Sequence, residues 1–163
     1  MDRDRLAAQL EQNLGRQLSW IVAADTKSSF VFGAATAMLG LLAAVAPAYG
    51  KWTPVGITWS VVAAAPLLAS LASLTAAVFP RTSGPKLSNI FFGSISARSV
   101  DAFRTDLFVS DEDSYVEDLV QQVHINAQIA TAKFTWVRRA TACLFFGVAP
   151  WAIATYDLLR DRG

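Results

Sequence analysis

The sequence predicts an all-α integral membrane protein, and three observations carry that prediction. Residues 28–47 and 53–79 form two apolar segments without a charged side chain, joined by a link that contains Lys51. A third apolar run covers residues 140–156, directly after the basic pair Arg138 and Arg139. The polar stretches outside these runs place their hydrophobic residues at helical spacing. The expected order is an N-terminal amphipathic helix (1–27), a transmembrane hairpin (28–79), a cytoplasmic helical region (80–139), a third transmembrane helix (140–157) and a tail (158–163).

Composition narrows the function classes. With 17% charged residues and a net charge of +1, the chain offers no field for bulk nucleic acid, whereas a small nucleotide needs only a few residues. The single cysteine, Cys143, forms no intrachain disulfide, and one cysteine beside one histidine, His124, makes no zinc site, so neither metal nor cofactor is expected. The start of the chain is charged and amphipathic, unlike a cleavable signal, and the first span is expected to direct insertion.

Leu6, Leu10, Leu14, Leu18 and Ile21 recur at helical spacing, predicting an amphipathic helix that packs on the cytoplasmic part or lies on the membrane surface. Asp25 and Lys27 then enter the first span. A carboxylate this close to lipid is costly without a partner, so Asp25 is expected to meet a cation or hydroxyl from another segment, or to remain an interfacial group. Lys27 snorkels to the headgroups.

Each of the first two apolar segments is long enough to cross about 30 Å of hydrocarbon at about 1.5 Å per residue. Two core helices of a soluble domain would be apolar as well, but 163 residues leave too little material to wrap them on every side. Gly33, Ala34, Ala37, Gly40 and Ala44 form a small-residue stripe suited to close helix approach, within the hairpin or between protomers. Tyr49 and Trp52 belong to an interfacial aromatic belt, and Pro66 is expected to kink the second span.

Pro80, Gly84 and Pro85 forbid a long helix after residue 79, and Arg81 and Lys86 bring positive charge close to the membrane. Phe91 and Phe92 follow, between Asn89 and Gly93. They either plug this loop onto the helices or stack on a planar base, with Asn89 for hydrogen bonds and Arg81 or Lys86 for a phosphate. A short amphipathic helix is predicted over residues 94–108, and Ser110 is the expected cap of the next, whose first turn takes Asp111, Glu112 and Asp113.

In that helix Val116, Val120, Val123, Ala127, Ala130, Phe134 and Val137 alternate spacings of four and three, predicting a coiled-coil-like seam. Asn126 and Lys133 share another face and are candidates for holding a small anion, while His124 lies on a third face, at the surface or in packing. The third apolar run is short for a span, and extension at either end or local thinning would accommodate it. Arg138 and Arg139 mark its cytoplasmic end. With Arg3, Arg5, Arg16, Lys27, Arg81 and Lys86 on the same side, the N-terminus and residues 80–139 are expected to be cytoplasmic; Arg160 and Arg162 count against this orientation.

These features occur in an order that resembles the transmembrane effectors of bacterial Pycsar antiphage defence. The resemblance rests on Ala24, Asp25 and Lys27 entering the first span, on Phe79, Pro80 and Arg81 leaving the second, and on the stretch from Asn89 through Phe91 and Phe92 to Gly93. Lys133 before the last span completes the pattern. Each motif is weak alone; the ordered set is more specific and covers most of the chain. It implies an effector activated by a cyclic pyrimidine mononucleotide, cyclic CMP or cyclic UMP, made by a partner nucleotide cyclase on phage infection, and acting by impairing the bacterial inner membrane.

On this reading the ligand lies among Arg81, Asn89, Phe91, Phe92, Asn126 and Lys133. Asp25 and Lys27 couple it to the spans, and Gly33, Gly40, Val123, Ala127 and Ala130 form contacts in a homo-oligomer. The alternative is a constitutive membrane scaffold or small channel subunit that recruits a partner through its cytoplasmic helices. An enzyme is not expected, because no paired catalytic carboxylates, His–Asp cluster, nucleophile elbow or phosphate-cradling loop is present.

Overall fold

A computed structural model describes residues 2–79, 84–85 and 87–160 of the chain. Among them the order is α1 (Arg3–Val45), α2 (Pro54–Val78), α3 (Phe92–Ser96), α4 (Val100–Val109) and α5 (Glu112–Arg160), with no strand. Three of these helices, α1, α2 and α5, are long and apolar enough to cross a membrane.

The expected boundary near residue 27 is not a break in the helix. Residues 24–28 contain neither proline nor glycine, and α1 carries the amphipathic stretch and the first apolar segment as one helix of 43 residues. In the same way α5 joins the seam region and the third apolar run in 49 residues, which removes the shortage of length noted for residues 140–156. Thr53 caps α2 by accepting from Gly56 N at 3.1 Å, with Pro54 at the first helical position. Pro66 and Pro150 lie inside α2 and α5, and neither ends its helix.

Two local expectations are corrected. The helix over 94–108 is two helices, because Ser99 accepts from Ala102 N at 3.2 Å and starts α4 afresh. The cap of α5 is Asp111 rather than Ser110: Asp111 Oδ1 accepts from Ser114 N at 2.9 Å and Ser114 Oγ at 2.5 Å, whereas Ser110 Oγ donates back to Leu107 O. These bonds, the Ser114 hydroxyl foremost, hold the Asp111 carboxyl below its ordinary range.

The chain divides into two compact units. One comprises Ala24–Phe79 and Lys133–Gly163 and is a bundle of α1, α2 and α5 segments. Its core gathers Val31, Ala35 and Leu42 from α1, Ala63, Leu67 and Leu74 from α2, and Ala140, Leu144 and Ala154 from α5. A second cluster joins Ala24, Ala77 and Val137, so the start of the α1 segment lies beside the end of α2 and α2 runs antiparallel to α1. Association of such helices in lipid relies on close packing and interhelical hydrogen bonds, since lipid tails are as apolar as leucine. Both are present. A Cβ on Gly147 would stand 3.0 Å from Leu67 Cδ2, Ser70 Oγ donates to Ala140 O at 2.8 Å, and Trp151 Nε1 donates to Met38 O at 2.9 Å. Phe30, Phe32, Phe145 and Phe146 are exposed on this unit, as side chains facing lipid would be.

The other unit comprises Met1–Ala23 and Pro80–Ala132. Within it α1 and α5 are tied by Tyr115 Oη, which donates to Glu11 Oε1 at 2.6 Å, and by an exposed Arg3–Asp113 ion pair at 2.9 Å. Val116 and Ala130 of its α5 seam are buried as the spacing predicts, and between them the buried face departs by one residue: Leu119 is 1% exposed and Gln122 4%, whereas Val120 is 43% exposed.

Candidate functional site

The loop that precedes α3 is built around one serine and one arginine. Ser88 is buried, and its Oγ accepts from Ile90 N at 3.0 Å, Phe91 N at 2.7 Å and Gln122 Nε2 at 3.1 Å. That network explains why a polar Gln122 is tolerated on the inner face of α5. Arg98 reaches back over the same loop, donating to Ser88 O at 2.5 Å, Asn89 Oδ1 at 2.9 Å, Ser94 O at 3.1 Å and Asp106 Oδ2 at 2.9 Å. Asn89 N donates to Asp118 Oδ2 at 2.7 Å, and Ser94 Oγ donates to Pro85 O.

This arrangement engages the residues expected to hold a ligand. The Asn89 side chain is taken by Arg98. Asn126 Nδ2 donates to the carbonyl of Gln122 on its own helix at 2.9 Å. The Phe91 ring is lodged between two glycines: a Cβ would stand 2.4 Å from it at Gly84 and 2.5 Å at Gly93. Phe92 leans on Phe91 with ring centroids 4.8 Å apart and is itself exposed. Arg81 and Lys86 lie outside the described residues. Lys133 belongs to the bundle unit, while Asn89, Phe91, Phe92 and Asn126 belong to the other.

Lys133 pairs with Asp25, Nζ to Oδ1 at 2.5 Å. The cation or hydroxyl expected opposite Asp25 is therefore this lysine. Beside it Lys27 Nζ stands 5.4 Å from the centre of the Phe134 ring, and the Arg139 guanidinium 4.7 Å from that of Trp136. These charges gather near the Ala24, Ala77 and Val137 cluster, where a snorkelling cation and an aromatic belt are at home.

An open groove of about 490 Å³ follows α5 within the unit that comprises Met1–Ala23 and Pro80–Ala132. Its polar lining is Gln121, His124 and Gln128; its apolar lining is Ile125, Ile129 and Ala132, and Gly84 with Pro85 forms its wall. Gln128 Nε2 lies 2.9 Å from His124 Nε2, and Gln121 Nε2 donates to Glu117 Oε1 at 3.1 Å. Of the three polar lining residues the sequence singles out His124 alone, because amides on an exposed helix face carry no pattern of their own. Among the described residues no group of three His, Cys, Asp or Glu side chains could hold a metal.

Three apolar helices, a polar helical unit and the charged band at Asp25 and Lys133 are the layout found, and the family model for the Pycsar effector protein domain matches residues 9–157. The chain belongs to the Pycsar effector family. No curated protein and no solved structure matches it. As a Pycsar effector it is a membrane-associated effector of antiphage defence, from a family not known for enzymes. The matched span takes in the loop around Ser88, the groove along α5, all of α2 and most of α1 and α5.

Open faces remain on this effector. A Cβ at Gly33 or Gly40 would meet no described atom within 4 Å. Val123 and Ala127 are half-buried, and Ala130 is buried within its own chain.

Proposed function

We infer that this protein is an effector activated by a cyclic pyrimidine mononucleotide, cyclic UMP or cyclic CMP, which impairs the inner membrane and arrests the infected cell. The observation that carries this reading is the family match across residues 9–157, which spans both the apolar helices and the polar helical unit. A partner cyclase supplies the nucleotide. The polar unit receives it, with no catalytic step, and the apolar helices deliver the damage.

The orientation proposed has residues 1–27 and 80–139 in the cytoplasm. Supporting it, Arg3, Arg5, Arg16, Lys27, Arg138 and Arg139 flank the proposed cytoplasmic ends of the spans and outnumber Lys51, Arg160 and Arg162 at the other ends. Protomers associate through the outward stripe at Gly33 and Gly40, where close helix approach needs no rearrangement of the bundle. Ligand shifts this assembly by binding one of its states better than the other.

Dye entry into cells expressing the chain with an active cyclase, and with a catalytically dead one, tests the reading. Entry that requires the active cyclase is expected. Entry, or its absence, that is independent of the cyclase supports a constitutive scaffold or channel subunit instead.

A further inference from the structure

Along α5, Gln121, Ile125, Gln128 and Ala132 recur at spacings of four, three and four and so share a face, with His124 and Ile129 beside them. This strip lines the groove, and its composition is what a small planar ligand requires. Ile125, Ile129 and Ala132 offer an apolar shelf, and three polar side chains stand over it. The volume of about 490 Å³ lies within the range of small-molecule sites, roughly 300–1,000 Å³.

The polar groups are suited to a heterocycle with mixed donors and acceptors on its edge. Gln121 donates to Glu117 and Gln128 to His124, so each amide keeps its carbonyl oxygen for a ligand donor. When Nε2 of His124 accepts from Gln128, Nδ1 is the ring nitrogen left to donate. Neither lysine nor arginine is among the described lining residues, so an anionic group belongs at the open mouth rather than on the shelf. Arg81 and Lys86 bracket Gly84 and Pro85 in sequence and lie outside the described residues.

Phe91 presses on Gly84 so closely that a Cβ there would stand 2.4 Å from the ring, and Ser94 Oγ donates to Pro85 O. Phe91 thus braces Gly84 and is not among the groove's lining residues.

We propose that this groove takes the base of the activating nucleotide, with Gln121, His124 and Gln128 bonding its edge and the cyclic phosphate turned towards the mouth. The assignment rests on the cyclic-nucleotide reading above. It differs from the expected site among Asn89, Phe91 and Asn126, where Asn89 Oδ1, the Phe91 ring and Asn126 Nδ2 already have partners within the chain.

The test uses the full chain in detergent micelles with cyclic UMP, cyclic CMP, cyclic AMP and cyclic GMP. Calorimetry gives affinities, and His124, the single histidine, gives one set of imidazole C–H signals in an NMR spectrum of histidine-labelled protein. A cyclic pyrimidine nucleotide is expected to bind and to shift those signals. Gln128→Ala and Gln121→Ala, both at exposed positions, are each expected to weaken binding about tenfold, the loss of one ligand hydrogen bond. Ile129→Trp, which fills the shelf, is expected to abolish it. If a nucleotide binds the parent while the His124 signals stay in place and both glutamine variants bind like the parent, the groove assignment falls and the functional reading stands. If the parent binds none of the four nucleotides, the functional reading falls and the groove assignment falls with it.

Discussion

Lys133 and Asp25, 108 positions apart in sequence, meet with Nζ 2.5 Å from Oδ1 and join α5 to α1 in the bundle unit. The lysine side chain is 15% exposed and the aspartate 47%, so the lysine bears most of the cost of burial and the aspartate is largely screened. After that screening the pair contributes about 1 kcal/mol.

Breaking the pair is therefore expected to affect output more than fold. Lys133→Ala and Asp25→Ala each insert into the membrane, lose about 1 kcal/mol of stability, and reduce cyclase-dependent dye entry several-fold. The charge swap, Asp25→Lys with Lys133→Asp, recovers part of that entry. If Lys133 acts on the ligand alone, Asp25→Ala keeps full dye entry and the swap recovers nothing.

The seat of Phe91 makes a second prediction. Alanine at Gly84 or Gly93 forces the ring out of a space where a Cβ would stand 2.4 or 2.5 Å away, at a cost of about 1–3 kcal/mol. Adding Phe91→Ala to either variant removes the clash. In a double-mutant cycle followed by thermal unfolding, the coupling is expected to be opposite in sign to the single losses. Additive effects would show that the ring yields freely.

Tyr115 gives a pH-dependent signature. Its hydrogen bond to Glu11, helped by burial and the carboxylate charge, pushes its pKa up to about 12 from 10.0. Because the raised value belongs to the folded state, the neutral phenol's contribution is complete below pH 10 and is lost as pH rises towards about 12. Absorbance titration of the tyrosinate band is expected to show one of the three tyrosines ionising late. Glu11→Gln brings that transition down towards 10, and a titration unchanged by this substitution would contradict the assignment.

The bundle offers a fourth test. Gly147→Leu drives a side chain into Leu67, 3.0 Å from the Cβ position, and is expected to cost about 1–3 kcal/mol. Ser70→Ala removes a buried interhelical bond to Ala140 O and costs about 0.6 kcal/mol, the usual scale for such bonds in membranes. Unfolding in mixed micelles measures both.

Hydropathy, helical period and proline act over a few neighbouring residues, and for that reason the three apolar helices, the acidic start of α5 and the end of α2 near Phe79 are legible in the sequence. It also marked Asp25 as a residue in need of a partner. Which partner it has was a tertiary matter, as were the lodging of Phe91 between Gly84 and Gly93 and the return of Arg98 over Ser88 and Asn89. Within the α5 seam, Leu119 and Gln122 are buried in place of Val120 and Val123, and Ser88 supplies Gln122 with a buried partner that no periodicity announces. The groove belongs to the same class. Gln121 and Gln128 carry no pattern in the sequence; the fold brings Gly84 and Pro85 to the same groove, and a groove made by that apposition has no signature in the order of residues.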